Sequence, residues 1–272
     1  MLGSIIGDIV GSVYEFHNIK TKDFVLFSGN VNFTDDSILT LATADWLLTG
    51  GRVAEFYLSY GLDYPCAGYG GGFKHWLSEG LENGEPSPAY NSCGNGSAMR
   101  VGAVGWAFET EQEIMLNAKK SAVCTHNHQE GILGAQAIAL CIFYSRQGKS
   151  KDEIKEAIET KCSYNLDYTV EELQKEYGWQ SKWGNGGLCQ CSVPQAIRCF
   201  LEGNDFEDCI RNAISIGGDS DTIGCMTGSI AEAYYGVPQD LRDKAMTYLT
   251  PELKKLVETF EEKYGKKIES RK

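Results

Sequence analysis

The chain has 272 residues, a net charge of −12 and a pI near 4.9. It carries no run of five or more basic residues, so direct binding to a nucleic-acid backbone is not expected. No apolar run approaches a membrane span, and residues 1–15 lack Lys and Arg while including Asp8 and Glu15, so neither an anchor nor a secretory leader is expected and the chain is placed in the cytoplasm.

That compartment makes the ten cysteines reduced thiols. The length suffices for one large core, and six prolines with helical rather than alternating apolar spacing favour a single domain over 1–272.

The elements follow in chain order. Ile5, Ile6, Ile9, Val10 and Val13 form a helical stripe, with Gly3, Gly7 and Gly11 spaced four apart as in a tightly packed helix pair. Asp8 lies inside that helix and reads as a buried cap or interhelix hydrogen-bonding group. Glu15 falls where the helix gives way to a loop, and Phe24–Phe27 reads as a short extended piece. Ile38, Leu41, Ala42, Asp45 and Trp46 form a second helix ending near Gly50-Gly51. The glycine-rich stretch Ala67–Phe73 is a loop expected to line the site. Tyr69, Phe73 and Trp76 are candidates to stack on a ligand, although Trp76 fits the core better.

Ile132, Ala135, Ile138, Ala139, Ile142 and Phe143 give a helix buried on most faces, and Asp152–Thr160 a short charged one. Residues 161–190 are polar and aromatic and read as a surface insertion. Pro194 is expected in the first turn of the helix through Ala196, Ile197 and Phe200, and Asp205 to cap the next. A helix through Ile223, Met226 and Ile230 stops at Gly236-Val237-Pro238, and Pro251–Lys272 is a charged C-terminal helix. The spacing of Cys189, Cys191, Cys199 and Cys209 fits no common zinc pattern, so these are read as buried thiols. The fold class is all-α.

Two acidic clusters stand out. Thr34-Asp35-Asp36-Ser37 and Gly217-Gly218-Asp219-Ser220-Asp221-Thr222 each precede an apolar helical run. Either alone suits ordinary helix capping. Together they supply four carboxylates and two threonines, a donor set for hard divalent cations. Four carboxylates meeting in one pocket cannot all stay ionised unless cations or protons offset them.

Three further segments complete a pattern: Gly3–Phe16, Asn91-Ser92-Cys93-Gly94-Asn95-Gly96-Ser97-Ala98-Met99-Arg100, and Thr125-His126-Asn127-His128-Gln129-Glu130-Gly131. In this order the five segments resemble the ADP-ribosylglycohydrolase family, which includes dinitrogenase reductase-activating glycohydrolase. The resemblance runs from about Leu2 to Pro238. Cys93 and Gln129 depart from the family pattern, where a bulkier residue and a proline are common.

The resemblance implies a single multi-helix domain with a binuclear cleft holding two Mg²⁺, with Mn²⁺ as an alternative. Thr34, Asp35, Asp36, Asp219, Asp221 and Thr222 would be the ligands. Gly94, Asn95, Gly96 and Ser97 would meet the diphosphate of ADP-ribose, consistent with a short polar loop exposing N–H groups. His126 would contact the same ligand, with Tyr69 nearby. Glu15 would lie on a mobile flap as a catalytic carboxylate. Asp36 and Asp221 are equal candidates for the base, with Glu15 the contender.

The implied reaction is hydrolysis at C1″ of ADP-ribose, through a carbon with oxocarbenium character. Its substrate would be an ADP-ribosylated protein or an ADP-ribose-containing small molecule. Protein arginine is the preferred linkage, with serine- and O-acetyl-linked ADP-ribose as alternatives. A silent binding or structural protein and a two-metal phosphoesterase remain the readings from other classes.

Overall fold

The computed structural model describes residues 1–265. After α1 (Leu2–Gly11), residues 12–34 form no regular element, and α2 (Asp35–Thr49), α3 (Val53–Asp63) and α4 (Gly71–Asn83) follow. Two short helices, α5 (Gly96–Met99) and α6 (Gly102–Ala107), lead to α7 (Glu111–Val123) and the long α8 (Gln129–Arg146). Next come α9 (Lys151–Cys162), α10 (Val170–Glu176) and a two-strand hairpin, β1 (Gln180–Ser181) against β2 (Gly184–Asn185). The chain continues through α11 (Cys189–Glu202), α12 (Phe206–Ser215), α13 (Ser220–Tyr235), α14 (Gln239–Met246) and α15 (Pro251–Tyr264). The architecture is all-α.

The core is organised around α13, which buries every residue from Ser220 to Ala233 and packs on α1, α12, α11 and α8. Its crossing with α1 explains the glycine spacing. A Cβ placed on Gly7 would lie 1.9 Å from the Gly224 carbonyl oxygen, and one on Gly3 2.2 Å from that of Gly228. Gly11 faces the Asp221 backbone, where an added Cβ would lie 2.4 Å from the Asp221 Cα. The two backbones therefore touch, a distance only glycine permits, and this contact carries the start of α13 onto the end of α1.

Several sequence expectations meet their counterparts. Thr34 caps α2 and Asp205 caps α12, while Gly50 and Gly236, both at positive φ, end α2 and α13. Trp76 is a core residue, bonded through its indole N–H to the Ser87 carbonyl at 2.8 Å. All ten cysteines are free.

Others are corrected. Phe24–Phe27 forms no strand; Phe27 sits at φ 52 in a turn, and the segment is held by Arg211 donating to the Lys22 and Phe24 carbonyls at 2.8 and 2.7 Å. Pro194 lies inside α11, because that helix starts at Cys189, one turn earlier than the proline suggests. Residues 161–190 are only in part a surface excursion: 178–185, with the hairpin, are exposed or half-buried, whereas the stretch before them is anchored in the core. Tyr164, Leu166, Tyr168, Val170, Leu173 and Tyr177 are buried, and their apolar spacing is masked by the charged residues between them. Of the expected C-terminal helix, Pro251–Tyr264 is present and 266–272 lie outside the described residues.

Candidate metal centre and ligand cavity

A cavity of about 320 Å³ opens where α2, α5 and α13 begin. Its floor is the two acidic clusters. Thr34, Asp35, Asp36, Asp219, Asp221 and Thr222 all line it. The Thr222 hydroxyl bridges the clusters across 186 residues of chain, donating to Asp36 Oδ2 at 3.2 Å. Gly217 and Gly218, at φ 71 and 77, turn the chain into α13. The Asn18 side chain holds that turn from both sides, donating to the Gly218 carbonyl at 2.9 Å and accepting from its N–H at 2.8 Å.

The clusters do more than cap helices. Asp219 occupies the N-cap position of α13 but makes no capping hydrogen bond there. Its Oδ2 accepts instead from Asn95 Nδ2 at 2.7 Å. Asp36 Oδ1 is buried and has no hydrogen-bond partner, an unusual state for a carboxylate oxygen.

Two triads of carboxylate oxygens lie within 4.8 Å of one another: Asp8, Asp36 and Asp221, and Glu15, Asp219 and Asp221. Asp221 belongs to both. Asp35 reaches the cavity but joins neither triad. Asp8 is already engaged, accepting from the Thr34 hydroxyl at 2.7 Å, from the Thr34 and Ser37 N–H groups at 2.9 and 3.1 Å, and from the Ser37 hydroxyl. It makes the interhelix bonds expected of it and fixes the entrance of α2.

Electrostatics follow from this crowding. Burial first, and then the neighbouring Asp221 and Asp8, push Asp36 and Asp35 well above the usual carboxylate range. Burial, then Asp219 and Asp8, do the same to Asp221. Asp219 rises only to about 6: burial raises it while the Asn95 amide offsets part of the effect. Glu15 is pushed up to about 8 by burial, then by Asp221 and Asp8. A site made only of oxygen donors, with carboxylates that resist ionising together and one orphaned oxygen, fits divalent cations such as Mg²⁺ or Mn²⁺.

The cavity wall is partly what the sequence suggested. Glu15, Gly94, Asn95, Gly96 and His126 line it. Ser97 does not; it sits in the first turn of α5 on the side facing α8, and its hydroxyl donates to the Gly131 carbonyl at 2.6 Å. Tyr69 is also absent from the wall. It is 2 % exposed and packs on Phe73 at 5.2 Å, because its ring turns into the core while the neighbouring Gly68 and Gly70–Gly72 face the cavity. His128 caps α8, its Nδ1 accepting from Glu130 N–H at 3.1 Å.

Sequence reading missed Tyr90, Arg100, Trp179 and Gly187, which also line the cavity. Trp179 donates its indole N–H to the Glu15 carbonyl at 2.8 Å and stacks on Phe16 with centroids 6.2 Å apart. Arg100 lies in the Asn91–Arg100 segment without a role assigned to it, and no local pattern signals Trp179 and Gly187. They arrive through long-range pairing, such as the bridge between Gly94 and Leu188 and the Asn95 N–H to Gly187 carbonyl bond at 3.0 Å.

The ADP-ribosylglycohydrolase family profile matches residues 1–269. This chain belongs to the ADP-ribosylglycohydrolase family. It is 30 % identical over 311 residues to the ADP-ribosylhydrolase ARH3 of Mus musculus, covering 88 % of this chain and 83 % of that protein. The human ARH3 is 29 % identical over 309 residues, with 88 % and 85 % covered. The ADP-ribosylarginine hydrolase Tri1 of Pseudomonas putida is 24 % identical, with 87 % and 70 % covered. A solved structure described as an ADP-ribosylglycohydrolase-related protein complex superposes with a TM-score of 0.71 at 23 % identity, covering 97 % of this chain and 95 % of that one, which establishes the shared fold. As an ADP-ribosylglycohydrolase by family, the chain carries the all-α scaffold and an acidic cluster at the base of its cavity.

Proposed function

We propose that the protein hydrolyses the glycosidic bond at C1″ of ADP-ribose with two divalent cations, and that its substrate is mono-ADP-ribose on a protein arginine. The observation that carries this reading is the meeting of two acidic clusters on one cavity floor, with Asp221 common to both carboxylate triads. Family membership supplies the substrate class. The arginine linkage draws on the Pseudomonas putida relative named for it and on the carboxylates that a guanidinium leaving group would meet at Glu15 and Asp35.

Thr34, Asp35, Asp36, Asp219, Asp221 and Thr222 would hold the cations. Bound there, the cations supply Lewis acidity, lowering the pKa of water and offsetting the carboxylate charge. The chain does the rest. Either Asp36 or Asp221, both buried on the floor, takes up the proton of the water that attacks C1″, with Glu15 the contender for that role. Their charge stabilises the developing oxocarbenium carbon. Glu15, held in place through its backbone by Trp179, polarises the departing group. The Gly94–Gly96 backbone, lacking side chains at two of three positions, admits the diphosphate to close range.

The test is a panel of arginine-, serine- and O-acetyl-linked ADP-ribose substrates with Mg²⁺ and with EDTA. Release of free ADP-ribose from the arginine linkage, abolished by EDTA and restored by Mg²⁺ or Mn²⁺, is the expected result. Preference for another linkage would replace the arginine assignment. Formation of AMP and ribose phosphate would make the protein a phosphoesterase. Binding of ADP-ribose without turnover would make it a silent member.

A further inference from the structure

Arg100, at the end of α5, is fully buried, and no carboxylate pairs with it among the described residues. Its guanidinium lies 4.0 Å over the Tyr57 ring. One nitrogen, Nη2, donates to the Ser121 carbonyl at 2.9 Å and to Thr125 Oγ1 at 2.7 Å, while Nε and Nη1 have no partner. Thr125 Oγ1 in turn lies 2.7 Å from His126 Nδ1. A buried cation without a counter-ion is costly, so a short chain of hydrogen bonds leading from it to a cavity-lining histidine calls for an explanation.

We propose that Arg100 and Thr125 are positioning residues that fix His126 with its ring proton on Nε2, turned to the Gly94–Gly96 loop as a hydrogen-bond donor to a phosphate oxygen of the ligand. This rests on the reading of that loop as the diphosphate site.

The assignment comes from donor and acceptor arithmetic. A guanidinium only donates, so Thr125 Oγ1 accepts from Arg100. The hydroxyl has a single proton left to place. If Nδ1 also carried a proton, Oγ1 would accept twice, and its own proton would be left the Cys124 thiol, a weak sulfur acceptor, in place of the imidazole nitrogen. With Nδ1 bare, the hydroxyl donates to the stronger of its two acceptors. The other ring nitrogen then holds the proton.

Position agrees with that tautomer. His126 lines the cavity, and a Cβ placed on Gly96 or Gly94 would lie 3.1 or 3.7 Å from its Nε2. Nothing on the protein accepts from Nε2 among the described residues. The ring is hemmed by Gly131, where an added Cβ would sit 2.9 Å from His126 Cβ, and by Tyr90 at 5.9 Å between centroids. Burial and the Arg100 charge lower the imidazole's pKa well below its ordinary value. The ring therefore holds one proton rather than two, and which nitrogen bears it decides whether the cavity is offered a donor or an acceptor. An acceptor facing a phosphate would repel it.

The experiment combines ¹⁵N–¹H spectroscopy of the histidine rings with calorimetry of ADP-ribose binding. Wild type, Thr125→Val and Thr125→Ser are compared, with melting curves to establish that each is folded. Wild-type His126 should show a protonated Nε2 and a bare Nδ1 without ligand. Thr125→Val should lose that single tautomer and weaken ADP-ribose about ten-fold, the scale of one hydrogen bond to a charged group. Mn²⁺ stoichiometry should not change, and Thr125→Ser should restore both ring state and affinity. A proton on Nδ1 in wild type, or Thr125→Val with unaltered tautomer and affinity, overturns the proposal. Should Thr125→Val fail to fold, the wild-type spectrum decides. Should wild type not bind ADP-ribose, the ligand reading fails, and the tautomer in the free protein still decides the hydrogen-bond chain.

Discussion

The α1–α13 crossing and the acidic floor, which joins the starts of α2 and α13, share α13 and are opposites in energetic terms. The crossing is apolar, glycine-lined and closed to the point of backbone contact. Every atom there gains dispersion contacts. The floor, one turn away, crowds carboxylates that burial and mutual repulsion push toward protonation. The first region stabilises the fold and the second costs it. The difference shows that the tight crossing is what makes the costly cluster possible. Gly11 against the Asp221 backbone fixes where α13 starts, and so where Asp219 and Asp221 stand relative to α2.

Changes to the floor should have the largest effects. Asp219→Asn and Asp221→Asn should each lower turnover by about three orders of magnitude or more, the scale of losing a cation ligand, while melting temperature holds or rises because a repelling charge is gone. Steady-state kinetics alongside thermal melts check this; near-normal turnover would refute the assignment.

From the other side, Gly7→Val drives a branched side chain into the Gly224 carbonyl, 1.9 Å from where its Cβ must sit. A loss of about 3 kcal/mol or more in unfolding free energy is expected, read by denaturant titration. A fully stable variant would mean that the helices do not meet backbone to backbone.

Glu15→Gln probes the edge between the two regions, because Glu15 joins the floor from a loop rather than from either helix. Turnover should fall about 100-fold, as for removal of an acid–base group, with ADP-ribose affinity within about two-fold. A loss confined to affinity would make Glu15 a binding residue only.

The smallest effect is the pH dependence of the metal-free protein. Glu15 and Asp219 titrate near 8 and near 6 in the folded state, against ordinary values of 4.5 and 3.8. Both folded values are raised, so the stability they confer is full below the unfolded values and is lost as pH rises through about 6 and then about 8. Melting temperature should fall by several degrees from pH 5 to pH 8, and Mg²⁺ should reverse the trend. A rise with pH in EDTA would contradict it.

The floor was legible in the sequence because each half is local: Thr34-Asp35-Asp36 and Asp219-Ser220-Asp221-Thr222 are contiguous and introduce apolar helices. The crossing was legible through Gly3, Gly7 and Gly11, although their partners Gly224 and Gly228 went unread. The wall was less so. Tyr69 and Ser97 lie beside residues that line the cavity, and which way a side chain turns is settled by tertiary packing. Trp179 and Gly187 come from a segment whose buried aromatics were interleaved with charge and so looked superficial. Arg100 carried no signal that it would be buried without a carboxylate partner.

Everything proposed for the site depends on the floor holding two divalent cations that share Asp221. Mn²⁺ binding stoichiometry, by electron paramagnetic resonance or calorimetry, on wild type and Asp221→Asn probes this without any substrate. Two ions per chain in wild type, with both sites weakened together in the variant because Asp221 belongs to both triads, is the predicted result. No ion bound by wild type, or two still bound with unchanged affinity in Asp221→Asn, would contradict it.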